Sequence, residues 1–162
     1  MGYPGSAMEK AMSRELYYED FTVGQRMESA RSITIEKADT IAFAQLYDPQ
    51  PYHVDEEGAK KMMFGGLIAS GWHTAAVSMR LKLETDLRYV AGGLLGMGIE
   101  NLRWPRPTLP GDSLRIAITI LEKRLSRSKP DKGIIKYKLE TWNQNDELMM
   151  DMITAVIVPV RG

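Results

Sequence analysis

The sequence predicts an α+β fold in which a mostly antiparallel β-sheet wraps one long helix. Three observations carry this expectation. Residues 70–88 have helical spacing, with Val77, Leu81 and Leu87 on an apolar face and Ala75 and Ala76 adding propensity. The chain beyond them changes period: Leu114, Ile116, Ile118 and Ile120 alternate with Arg115, Ala117 and Thr119, and Ile135, Tyr137 and Leu139 with Lys136, Lys138 and Glu140. The length, 162 residues, suits one domain with a core of its own.

The elements follow in order. Residues 1–15 begin MGYPGSAMEKAM, small and polar without period, and are expected to be poorly ordered, with a native start at Met8 or Met12. Residues 16–162 are expected to form the single domain. An extended stretch ends in Ser32–Ile35. A short helix over 36–47 has Ala38, Ile41, Ala42 and Leu46 at near-helical spacing and is stopped by Asp48-Pro49 and Pro51. Residues 48–69 form a long connection broken by Pro49, Pro51, Gly58, Gly65 and Gly66, with a helical turn or two near 56–61. A connection this long more often carries function than not. Ser70 caps the long helix, whose apolar stretch from Ala75 to Leu83 suits burial on several sides. Four strands follow, the last within 152–158, with turns at Pro110-Gly111-Asp112 and Asn145-Asp146.

Composition narrows the function. Lys plus Arg is 21 and Asp plus Glu is 21, so there is no basic excess to bind nucleic acid or a membrane surface. There is no cysteine, which excludes disulfides, thiolate nucleophiles and Cys-based zinc sites. No apolar run is long enough for a membrane span and no signal-peptide pattern is present, so a cytoplasmic location is expected. The two histidines, His53 and His73, are the whole supply of imidazole.

The densest chemical signal is Tyr47-Asp48-Pro49-Gln50-Pro51-Tyr52-His53-Val54-Asp55. A proline-stiffened loop can turn an acid and an imidazole five residues apart toward one water molecule and exchange a proton with it. The plainer reading makes Asp48 a turn residue and His53 a structural histidine. A second segment, Phe64-Gly65-Gly66-Leu67-Ile68-Ala69-Ser70-Gly71-Trp72-His73, leads into the long helix. Helix amides with no side chain at Gly71 could hold a carbonyl oxygen that becomes negative during reaction. Alternatively, the glycines only allow close packing of helix on sheet. His73 falls in the first helical turn, where a core or capping role outweighs a pocket role. His53, His73 and Asp55 match no standard metal motif, and no metal is expected.

Taken together, these segments resemble the MaoC-like dehydratase family, the R-specific enoyl-CoA hydratases, which are hot-dog fold proteins. The hallmark stands here as Asp48, Pro49, Gln50, Pro51, Tyr52, His53, with Asp55 following. The small-residue entry to the hot-dog helix looks like Ile68-Ala69-Ser70-Gly71. A later family stretch looks like Arg103-Trp104-Pro105-Arg106-Pro107 and Pro110-Gly111-Asp112. The resemblance implies a central helix wrapped by about five strands and a homodimer or higher homo-oligomer paired edge to edge. It implies reversible hydration of a trans-2-enoyl-CoA to an (R)-3-hydroxyacyl-CoA, with coenzyme A thioester as substrate and no separate cofactor. Asp48 and His53 would hold the catalytic water and the Gly71 amide would polarise the thioester carbonyl. Gln50, Tyr52, Gly66, Ser70 and Trp72 would bind substrate. Met62, Met63, Leu67 and Trp72 are candidate walls of an apolar slot, and Arg103, Arg106, Lys60 and Lys61 candidate partners of the coenzyme phosphates.

Two departures stand out: Gln50 replaces the usual Asn, and the position where relatives often place a serine beyond the oxyanion glycine is Met79, beside Ser78. The rival readings are a hot-dog acyl-CoA thioesterase and a non-catalytic acyl-CoA binding module.

Overall fold

The computed structural model describes residues 14–162. The expectation of a poorly ordered N-terminus falls outside these residues except for Arg14 and Glu15. Among the described residues six strands, one more than expected, make one antiparallel sheet: β1 (Arg26–Glu28), β2 (Ile33–Thr34), β3 (Leu95–Arg103), β4 (Ser113–Leu125), β5 (Lys132–Trp142) and β6 (Leu148–Pro159). The order is β1-β4-β5-β6-β3, with β2 also pairing β4. Helices α1 (Lys37–Tyr47), α2 (Pro51–Val54), α3 (Glu56–Ala59) and α4 (Gly71–Lys82) all precede β3.

Alternation in β4, β5 and β6 does what the sequence pattern requires. Ile118 pairs with Leu139 and Leu139 with Met152, so one row of side chains crosses three strands toward the core. Ile116, Ile118, Ile120, Ile135, Tyr137 and Leu139 are all almost wholly buried. Each such aliphatic side chain contributes roughly 1.5–3 kcal/mol on leaving water. The intervening residues of β5, Lys136 and Lys138, stay partly exposed and pair with Glu100 and Glu140.

Helix α4 lies on the core face of the sheet. Its inward positions Thr74, Ser78 and Leu81 recur at helical spacing and are buried. Ser78 Oγ bonds the Thr74 carbonyl and Thr141 Oγ1 on β5, both at 2.7 Å, which pins helix to sheet. The expected burial on several sides is not what forms. Trp72, Met79 and Leu83 lie on the outer side at 57%, 41% and 47% exposure, so the apolar stretch serves one buried face and one open one. The helix also stops at Lys82 rather than residue 88. Thr85 Oγ1 donates to the Lys82 carbonyl and accepts from the Leu87 amide, closing one helix and starting a short 3-10 turn, Asp86–Tyr89. Leu87 keeps its apolar phase through that break and is buried.

The β3 strand is one edge of the sheet, opposite β1. It bonds β6 on one side, and Leu95, Met97 and Ile99 are more than half exposed.

Candidate active site

The site is assembled where three segments meet: the end of α1 with α2, the start of α4, and the loop after β3. Helix α1 ends at Asp48, whose amide still bonds the Ala44 carbonyl while its own dihedrals leave the helical region ahead of Pro49. Pro51 takes the first position of α2, where its missing N–H costs nothing. This single turn carries His53 inward to 5% exposure. Asp55 then caps α3 by accepting from the Gly58 amide at 3.0 Å. It belongs to the scaffold of the loop.

Hydrogen bonds fix the imidazole. Residue 68 is sewn to α2 twice: the Ile68 amide donates to the Tyr52 carbonyl at 3.0 Å, and the Ile68 carbonyl lies 2.7 Å from His53 Nδ1. A carbonyl only accepts, so Nδ1 carries the proton and, in the neutral ring, Nε2 carries the lone pair. Nε2 lies 3.4 Å from Asp48 Oδ2. The same Oδ2 accepts from Ser70 Oγ at 2.6 Å. Ser70 is fully buried and its Oγ also accepts from the Trp72 amide at 3.2 Å, capping α4. One hydroxyl thus joins the carboxylate to the first turn of the long helix. Oδ1 of Asp48 has no hydrogen-bond partner among the described residues.

Gly71 opens α4 with its amide unpaired among the described residues. A Cβ built on Gly71 would stand 2.7 Å from Trp104 Cε2, so any side chain there must displace the indole. Trp104 in turn meets Trp72 edge to face, ring centroids 5.4 Å apart.

A cleft of about 350 Å³ brings these groups together, lined among others by Asp48, His53, Phe64, Gly71, Trp72 and Trp104. Of the residues expected from the sequence, Asp48, His53, Gly71 and Trp72 share it, and Arg106 lies on its wall. Others fall elsewhere. Ser70 sits behind the wall, committed to Asp48. Tyr52 packs edge-on against the His53 ring, Gln50 points to solvent, and Gly66 is not on the lining. Leu67 is core, and Met62 and Met63 lie outside the cleft. Lys60 pairs with Glu57, and Arg103 with Asp151 on β6. Phe64, Trp104, Pro105, Pro107, Thr74 and Thr108 line the cleft without having been expected there. Their traces in the sequence are the aromatic-Pro-x-Pro run at 104–107 and Phe64 at the head of the segment leading into the long helix.

His73 takes the core role. It stacks on Phe43, centroids 4.8 Å apart, is 8% exposed, and its Nδ1 has no partner among the described residues. Burial lowers its pKa below the ordinary 6.5, against a smaller opposing pull from Asp39. Among the described residues no group of three or more His, Cys, Asp or Glu is placed to hold a metal ion. No helix among them is long and apolar enough to cross a membrane.

One antiparallel sheet packed on one long helix, with a largely apolar cleft at that helix's N-terminus into which Asp48 and His53 face, is the architecture of a hot-dog fold protein. The model of the MaoC-like domain matches residues 20–143, and the chain belongs to that family. It is 33% identical over 140 residues to the protein YdeM of Bacillus subtilis, covering 86% of this chain and 96% of that one. The MaoC-like dehydratase from Rhodospirillum rubrum is 46% identical and superposes with a TM-score of 0.84, over 91% of this chain and 99% of that one. The 3-hydroxybutyryl-CoA dehydratase of Methylorubrum extorquens is 26% identical over 147 residues, covering 90% of this chain and 86% of that protein.

Proposed function

We propose that this protein is a hydro-lyase that adds water reversibly to a trans-2-enoyl-CoA, giving the (R)-3-hydroxyacyl-CoA. The observation that carries the reading is the convergence of Asp48, His53 and the Gly71 amide on one cleft. The tautomer forced by Ile68 turns the Nε2 lone pair toward the carboxylate, so two acceptors face each other. A water molecule satisfies both by donating one proton to Nε2 and one to Asp48, which leaves its own lone pair for the substrate.

Attack of that oxygen on the β-carbon forms the C–O bond. The π electrons move through the α-carbon to the thioester oxygen, where the Gly71 N–H stabilises the enolate. The proton lost by the water rests on one of its two acceptors and passes to the α-carbon from the same face, a syn addition. Ser70 is the positioning residue: it holds Oδ2 and leaves Oδ1 free. The family and the dehydratase relative named above support this chemistry.

We also propose that a second copy covers β3, because an open edge carrying Leu95, Met97 and Ile99 is an association surface. Size-exclusion chromatography with light scattering reads this directly.

The test of function is incubation with crotonyl-CoA. Loss of enoyl absorbance with a chiral 3-hydroxy product supports the reading. Release of free thiol makes the protein a thioesterase, and binding without either change makes it a binding module.

A further inference from the structure

The closed end of the cleft contains a hydrogen-bond donor that the hydration chemistry does not use. Thr74 and Thr108 both line the cleft, at 1% and 3% exposure. Thr74 Oγ1 donates to Thr108 Oγ1 at 2.9 Å. Two hydroxyls supply two protons and this bond uses one. The Thr108 proton has no acceptor among the described residues, although its own carbonyl is engaged by the Ala69 amide at 2.8 Å. A buried donor left without an acceptor is costly, and accepting from Thr74 makes Thr108 a stronger donor.

Position within the cleft determines what meets this group. The exposed residues of the lining, Phe64, Trp72 and the run Trp104–Pro107, form the mouth, while Thr74 and Thr108 are buried behind them. Coenzyme A is far larger than a space of about 350 Å³ and stays outside, so the acyl chain is the part that reaches the buried floor. Charge then selects the kind of oxygen. Asp48 stands on the same lining. The cation there, Arg106, is 57% exposed at the side chain and lies 3.5 Å from Glu147, so it does not serve the floor. A carboxylate at the closed end would lose its hydration for one neutral donor, near a like charge.

Resting on the hydratase reading above, we infer that the preferred substrate is a short enoyl thioester whose far end carries an uncharged oxygen, a hydroxyl or a carbonyl, accepted by Thr108. This specificity does not extend to a plain alkyl chain or to one ending in a carboxylate.

The experiment compares trans-2-hexenoyl-CoA with trans-5-hydroxy-2-pentenoyl-CoA, which exchanges the terminal methyl for a hydroxyl, and with the five-carbon enedioyl thioester. The wild type should favour the hydroxylated chain over its alkyl match by about tenfold in kcat/KM, the worth of one neutral hydrogen bond in a dry site. In Thr108→Val that preference should fall to about twofold or less, and Thr108→Ser should keep it. Calorimetric titration of the saturated counterparts, hexanoyl-CoA and 5-hydroxypentanoyl-CoA, reads the same preference without turnover. If no thioester is hydrated but the binding preference and its loss in Thr108→Val remain, the hydratase reading fails and the floor assignment stands. Equal use and equal binding of the alkyl and hydroxylated chains, or a preference for the enedioyl chain, overturns the inference. So does a preference that survives in a folded Thr108→Val.

Discussion

In β4 as far as Ile120, and along β5 and β6, alternate residues enter one core, and the row Ile118, Leu139, Met152 repeats the same contact strand after strand. In the stretch from Asp48 to Gly71 nothing repeats. Its shape depends on a few bonds of different kinds: the Tyr52 and Ile68 backbone pair, the Nδ1 contact of His53, and the Ser70 hydroxyl on Asp48. Redundancy makes the sheet tolerant in geometry and sensitive in energy, because losing one buried side chain removes many contacts at once. The connection is the reverse, since one carbonyl or one hydroxyl fixes how His53 or Asp48 is turned toward the cleft. Stability and activity are therefore expected to respond to different residues.

The strongest attempt to break that division is Asp48→Asn. It keeps shape and size yet removes the charge that, in the proposed reaction, accepts a hydrogen bond from the attacking water. Hydration of crotonyl-CoA should slow by about a hundred- to ten-thousand-fold with little change in the unfolding midpoint. Ile118→Ala probes the other side. It should cost about 2–5 kcal/mol in chemical denaturation while residual folded protein keeps its kcat. A variant that lost activity in proportion to Asp48→Asn would erase the distinction.

Ser70→Ala falls between them, since Ser70 both caps α4 and holds the carboxylate. We expect kcat to drop about ten- to a hundredfold with KM little moved, at a stability cost of about 1 kcal/mol for the cap, and Ser70→Thr to restore most of both. A KM effect with kcat unchanged would make Ser70 a binding residue after all.

Tyr137 sharpens the comparison inside the core. Its hydroxyl is buried with no partner among the described residues, and burial pushes its pKa up to about 12. Tyr137→Phe should leave activity alone and raise stability by about 1 kcal/mol in urea unfolding.

The smallest expected effect concerns His73. Its folded pKa lies below the ordinary 6.5, so the unfolded chain binds the proton more readily. The contribution is whole above pH 6.5 and is lost as pH falls through the lowered folded value. Denaturation curves in that acid window should be flatter for His73→Gln than for the wild type.

The regions differ in the same way in how far the sequence reveals them. The alternation of Leu114–Ile120 and Ile135–Leu139 states strand and facing at once, because a period of two follows directly from the pleat. Strand β3 is hard to read: Gly96 and Gly98 interrupt any pattern, and as an open edge it has no buried face to impose one. The end of the long helix was misplaced because Leu87 continues the apolar spacing across the Thr85 break. Asp48, His53 and Gly71 could be singled out because each sits in a short distinctive string. The contacts between Ser70 and Asp48, 22 residues apart, and between Thr74 and Thr108, 34 apart, exist only once the chain has folded. Trp104 was visible as part of a motif, but its place against Gly71 was not.

The edge-to-face indoles at the mouth give the cleft an optical reporter of its own. Of three tryptophans, Trp72 and Trp104 stand at the mouth of the cleft, while Trp142 sits at the end of β5 with its Nε1 turned into the interior. Emission from the first two should shift as water leaves the entrance, and the third supplies a steady internal reference in the same spectrum. Ligand occupancy is therefore readable in the unlabelled protein.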